Sequence, residues 1–101
     1  MKTPKKIMDA ARGEECTLNI VGVCRNDTET TVACHLPDGS GGSSKFAGPL
    51  SIAFGCSKCH DCVDRRNSIR EWLTEEDREF YMRRGMMRTM TRLVERNILK
   101  W

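Results

Sequence analysis

Six cysteines and two histidines hold most of the metal-binding and acid–base chemistry open to this 101-residue chain. Cys56 and Cys59 form a C-x-x-C pair at what reads as a strand-to-helix turn, where two thiolates converge on one tetrahedral ion about 2.3 Å from each sulfur. Cys16 and Cys24 bracket a loop containing Gly22, long enough to fold back and supply the third and fourth ligands. The competing pair is Cys34 with His35, and Cys62 is a further spare. Cys34 in a strand and Cys62 one helical turn past Cys59 suit buried, unliganded thiols better than the other four do. The expected ion is a structural Zn2+, and four thiolates around it leave excess negative charge that Lys58, Arg12 or Arg65 can offset.

With sulfur filling that site, both imidazoles are left for other work. His60 and Asp64 are separated by one helical turn and share a face, a spacing that lets an imidazole and a carboxylate hold a single divalent ion. His35, at the end of a predicted strand, can face the same point from across a hairpin.

The elements that must position these groups follow from pattern. Thr3-Pro4 starts and Gly13 stops a short amphipathic helix over 4–12, with Ile7, Met8 and Ala11 on one face. β-Branched residues predict short strands over 16–20 and 30–36, joined by a loop at 21–29 that carries Cys24. Residues 37–49 are rich in Gly, Ser and Pro and read as a long irregular loop. A strand over 50–55 follows and turns at Cys56 into a helix reaching about Arg66. Thr74 with Asp77 resembles a capping box and opens a long helix to about Asn97, whose predicted apolar stripe is Phe80, Met87, Met90, Val94 and Ile98, with Gly85 as a possible bend.

Length and composition bound the rest. A chain of 101 residues, 39% hydrophobic and 6% aromatic, predicts a single domain over 1–101 with too thin a core to be stable without a staple. Neither an apolar leader nor a membrane-length segment is visible, so a cytoplasmic protein without membrane association is expected. In that compartment thiols stay reduced, which favours metal over disulfides. The net charge of +3 is small, but Arg83, Arg84, Arg88, Arg92 and Arg96 face one nearby acid, Glu95. Arg84, Arg88, Arg92 and Arg96 form a ridge suited to DNA phosphates. Arg65 and Arg66, beside Asp64, are placed to hold a phosphate close to the ion.

The order Cys16…Cys24, Cys34-His35-Leu-Pro-x-Gly, a glycine-rich loop, a strand, then Cys56-x-x-Cys59-His60-x-x-x-Asp64 resembles zinc-containing HNH endonucleases of the ββα-metal class. More narrowly, Ala10-Ala11-Arg12-Gly13-x-Glu15-Cys16, Gly22-Val23-Cys24, Cys56-Ser-x-Cys59-His60-Asp61 and Asp64-Arg65-Arg66 look like the prophage-encoded YbcO-type nucleases. The resemblance covers nearly the whole chain. It implies an α+β fold: a zinc-stapled ββα finger with flanking N- and C-terminal helices. It also implies His35 as general base, His60 as the helix ligand of a catalytic Mg2+ or other divalent ion, and Asp64 at the place of another ligand. Cys34 stands where many such fingers carry Asp or His, and Ser51 lies near the place of their central Asn. The expected activity is phosphodiester hydrolysis in phage or prophage DNA recombination or processing, inside a bacterial host. The alternative is a non-catalytic zinc module that binds DNA or a recombination partner, which needs the arginines but not His35. A redox role for Cys56 and Cys59 is weaker, because no thioredoxin-like βαβ pattern surrounds them.

Overall fold

A computed structural model of the chain describes residues 3–36, 48–63 and 73–100. Within them the order is helix α1 (Lys5–Ala10), a 3-10 turn (Thr28–Thr30), strand β1 (Val32–His35), strand β2 (Ile52–Gly55), helix α2 (Ser57–Val63) and helix α3 (Glu75–Glu95). This is a small α+β arrangement around a two-stranded antiparallel sheet, with Val32 opposite Gly55 and His35 opposite Ile52.

Side chains alternate across a strand, and here both faces of the sheet are covered. Cys34 and Ala53 join Leu18, Cys56, Cys59, Val63 and Met82 on one side. Ala33, Ile52 and Phe54 pack on the other with Ile7, Ala10 and Leu93. The sheet is therefore the floor of two small cores rather than a surface ribbon.

The outer edge of β2 is closed by hydroxyls. Thr17 donates to the Phe54 carbonyl (3.0 Å), and the Phe54 N–H points to Thr17 Oγ1 (3.1 Å) and Thr89 Oγ1 (3.0 Å). Because the Thr17 hydrogen is committed to that carbonyl, Thr89 must be the donor in the 2.8 Å contact between the two hydroxyls. Every polar atom of this buried triangle is satisfied, and α3 is fixed to the sheet edge that would otherwise stay open.

Two predicted elements need correction. Residues 16–20 are not a strand: Thr17 and Leu18 send their N–H groups to the Phe54 carbonyl, but the chain then turns at Asn19, whose φ is +43°. The predicted stripe of α3 is not its core face. Phe80, Met87 and Met90 are exposed and Val94 is half-buried, while Met82, Gly85, Thr89 and Leu93 face inward; of the stripe, Ile98 packs against a core, from beyond the end of the helix. Close approach explains the choice, since a Cβ on Gly85 would lie 2.9 Å from Leu18 Cδ2 and 3.2 Å from the Ala53 methyl. The helix runs unbroken through Gly85.

The ends of the helices obey local rules. Thr74 Oγ1 accepts from the Asp77 N–H at 3.1 Å and caps α3 as predicted. Asn97, at φ +59°, closes it, with the Ile98 N–H on the Leu93 carbonyl and the Asn97 N–H on that of Val94, a Schellman pairing. Gly13, at φ +76°, turns the chain after α1 and drives Glu14 inward. There the Glu14 carboxylate meets Arg92 (3.0 Å) and Arg96 (2.8 Å), and Arg96 also donates to the Ala10 carbonyl at the end of α1. Burial alone would raise Glu14, but the two guanidinium groups outweigh it and hold the carboxyl below its ordinary range. α1 and α3 are thus clamped by charge as well as by the apolar contacts of Ile7 and Leu93.

Candidate metal centre and histidine surface

Four sulfurs meet where the chain between α1 and β1 folds back onto the start of α2. The ligand atoms of Cys16, Cys24, Cys56 and Cys59 all lie within 4.8 Å of one another, and Cys24 Sγ is 4.0 Å from Cys56 Sγ. A tetrahedral zinc with bonds of about 2.3 Å needs sulfurs about 3.8 Å apart, so the quartet fits that ion. Among the described residues this is the grouping of metal-ligating side chains that converges, and neither imidazole belongs to it.

The backbone is shaped to serve sulfur. The Asn19 N–H lies 3.4 Å from Cys16 Sγ and the Asn26 N–H 3.3 Å from Cys24 Sγ, each directed at charge that a thiolate would carry. Both asparagines adopt the left-handed region, φ +43° and +46°, as does Gly22 at +81°. Asn26 also accepts the Cys16 N–H on its side-chain oxygen at 3.0 Å. Nothing in the sequence but residue type marks these two asparagines, Asn being with Asp the non-glycine type most tolerant of this backbone region.

Crowding four thiols without a cation distributes their protons unevenly. The contact with Cys59 holds the Cys16 thiol down at about 5, and the same contact, with burial, pushes Cys59 well above the ordinary thiol range. Burial lifts Cys24 to about 11. Negative charge therefore collects on Cys16 while Cys24 and Cys59 keep protons that a divalent ion would have to displace.

The two histidines lie outside this shell. His35 ends β1, is exposed, and shares the sheet face of Ala33 that α1 covers. Its Nε2 is 3.2 Å from Thr3 Oγ1, and that hydroxyl donates to the Pro49 carbonyl at 2.7 Å. His60 is partly buried on α2, which begins with the His60 N–H bonded to the Cys56 carbonyl at 2.9 Å. Cys34 and Cys62 are buried in the core on the side of the sheet that holds the cysteine quartet, as their placement in strand and helix predicts. Asp64, Arg65 and Arg66 fall outside the described residues. Ser51 is buried and donates to the Leu36 carbonyl at 2.8 Å, closing the hairpin base.

The arginines of α3 divide. Arg84 donates to the Leu18 and Asn19 carbonyls (3.2 and 3.1 Å) and stacks on Phe80 and Tyr81, while Arg92 and Arg96 hold Glu14. Arg88 is exposed and lines an open cleft of about 410 Å³ with Glu15, Asn19, Asn26 and Thr91, beside Cys16. No described helix is long and apolar enough to cross a membrane.

Fold and site together define a small α+β protein in which four cysteines converge closely enough to hold a metal ion. Residues 5–98 match the family described as "Putative nuclease YbcO", and the chain belongs to that family. It is 43% identical over 58 residues to "Putative nuclease YbcO" of Escherichia coli (strain K12) and, with the same figures, to "Putative nuclease ybcO" of Enterobacteria phage 82. Those alignments span 56% of this chain and 60% of each relative. A solved structure, "Structure of a putative bacteriophage protein from Escherichia coli str. K-12 substr. MG1655", superposes with a TM-score of 0.72 at 30% identity, covering 89% of this chain and 98% of the other.

Proposed function

We propose that this chain is a metal-dependent DNA endonuclease, built as one HNH-type ββα-metal domain over residues 1–101 and acting in phage or prophage DNA processing in the cytoplasm of a bacterial host. One observation carries the proposal: sulfur alone completes a zinc-type ligand set, while His35 at the end of β1 and His60 on α2 stand outside it on the same β–β–α unit. The names of the family and of its relatives supply the nucleic-acid substrate class.

In this reading His35 takes the proton of the attacking water, and His60 with Asp64 would hold the catalytic ion. Mg2+ or another divalent ion there would supply Lewis acidity at the phosphate and assist the departing 3′ oxygen. Arg65 and Arg66 grip the phosphate next to the ion. On α3, Arg88 is the most available for the DNA backbone; Arg84 and Arg92 reach it only by sharing guanidinium donors already engaged within the fold. Cys16, Cys24, Cys56 and Cys59 would hold Zn2+, which would tie the α2 end of the unit to the N-terminal segment.

Plasmid nicking with Mg2+ or Mn2+ tests the proposal. The wild-type chain should nick, and His35→Ala should lose about 100- to 10,000-fold in rate while keeping its zinc and its thermal midpoint. Equal traces in both would remove the enzyme and leave a zinc module that only binds DNA.

A further inference from the structure

Thr3 precedes α1 but does not cap it. The N-cap position is Pro4, and no side-chain cap bond is made there. The Thr3 hydroxyl is instead drawn into a three-segment junction, bridging His35, 32 residues away, and Pro49, 46 residues away.

The direction of these bonds is fixed by counting hydrogens. A carbonyl only accepts, so the single Thr3 hydroxyl hydrogen is the one in the 2.7 Å bond to Pro49. At the 3.2 Å contact with His35, Thr3 Oγ1 must therefore accept, and the ring nitrogen Nε2 must carry the hydrogen. The chain runs His35 Nε2–H to Thr3 Oγ1–H to the Pro49 carbonyl, and the lone pair of the neutral ring lies on Nδ1.

We propose that Thr3 is a positioning residue for His35: it holds the imidazole as the Nε2–H tautomer and so makes Nδ1 the atom that receives the proton of the attacking water. This rests on the reading of His35 as general base. In the step, a water O–H bond breaks and its proton goes to Nδ1. The oxygen forms the new bond to phosphorus, and the bond from phosphorus to the 3′ oxygen breaks with its electron pair leaving on that oxygen, which takes a proton from solvent. As the ring becomes an imidazolium, its Nε2–H bond to Thr3 turns charge-assisted and strengthens, and the Thr3–Pro49 bond is polarised in the same sense. The junction therefore favours the charged ring of the transition state over the neutral ring of the ground state. Were Nε2 the base instead, the Thr3 hydroxyl would have to leave Pro49.

The test uses the full zinc-loaded chain. Two-bond ¹H–¹⁵N correlation of the neutral rings should show His35 as the Nε2–H tautomer, with a slowly exchanging Nε2 proton that is lost in Thr3→Val and kept in Thr3→Ser. In the nicking assay Thr3→Val should lower kcat about 10- to 100-fold with little change in KM, and Thr3→Ser should restore most of it. An Nδ1–H tautomer in the wild type overturns the assignment. So does an Nε2 proton that exchanges equally fast in all three proteins. If His35→Ala is inactive yet Thr3→Val cuts at the wild-type rate, the positioning role alone falls. If His35→Ala cuts like wild type, the base reading falls and the positioning role falls with it.

Discussion

The dipeptides Cys34-His35 and Cys59-His60 place the same two residue types side by side, once on a strand and once on a helix, and the fold separates them both times. Cys34 is buried in the core and His35 is exposed; Cys59 is buried among the sulfurs and His60 is only partly covered. A strand turns successive side chains to opposite faces and a helix turns them by about 100°. Adjacent residues can therefore serve an interior and a surface at once. The sulfur region is largely buried and over-determined, with four converging thiols and N–H groups aimed at two of them. The histidine region is open, and His35 is steered by one hydroxyl. A buried thiol and an exposed or half-buried imidazole thus stand one residue apart, and each can be altered without the other.

The largest effect should come from breaking the closed region. Structural zinc contributes on the order of 10–16 kcal/mol to folding, as much as the whole stability of a domain this size, so Cys59→Ser should leave the chain largely unfolded even in excess zinc. Far-UV circular dichroism with zinc titration reads this directly, and a folded, cooperative Cys59→Ser protein would refute the staple.

Acid should act on the same region with a definite sign. Burial and the contact with Cys16 raise Cys24 and Cys59, so zinc must displace their protons, whereas the contact with Cys59 lowers Cys16 and eases its ionisation. Apparent zinc affinity should fall as pH falls, by about 100-fold per unit or more between pH 8 and 6, because zinc must displace at least the protons of Cys24 and Cys59. Competition with a chromophoric chelator measures the slope; a flat profile contradicts the proton assignment.

Smaller effects sharpen the comparison away from the metal. Gly85→Val should cost about 1–3 kcal/mol by forcing α3 off Leu18 and Ala53, and urea unfolding of the zinc form would show it. Glu14→Gln should cost a similar or smaller amount, about 1–3 kcal/mol, by weakening the clamp of Arg92 and Arg96 on α1. Neither should change zinc stoichiometry. Smallest of all, Arg88→Ala should weaken DNA binding modestly and reduce its dependence on salt by about one phosphate contact, with stability unchanged.

The cysteine quartet was legible because ligand spacing is a local constraint: C-x-x-C at a strand-to-helix turn and a loop with Gly22 admit few other uses. The cap at Thr74 and the turn at Gly13 were legible for the same reason. The inward face of α3 was not. Gly85 and Thr89 lie on it, one chosen for having no side chain and the other for a hydroxyl that satisfies Phe54, and neither registers in a hydrophobic pattern. The arginine ridge shows the converse limit, since spacing put the guanidinium groups on the helix but could not reveal that Glu14 and the Leu18 carbonyl would engage three of them. Thr3 was invisible as a partner of His35 because 32 residues separate them and only the packing of α1 on the sheet brings them together.

Free imidazoles require that an ion in the cysteine quartet be surrounded by sulfur alone. X-ray absorption at the zinc edge of the full chain should return four sulfur neighbours at about 2.3 Å and no nitrogen, with the same spectrum from His35→Ala and His60→Ala. A first shell of three sulfurs and one imidazole nitrogen, lost in either variant, would contradict it.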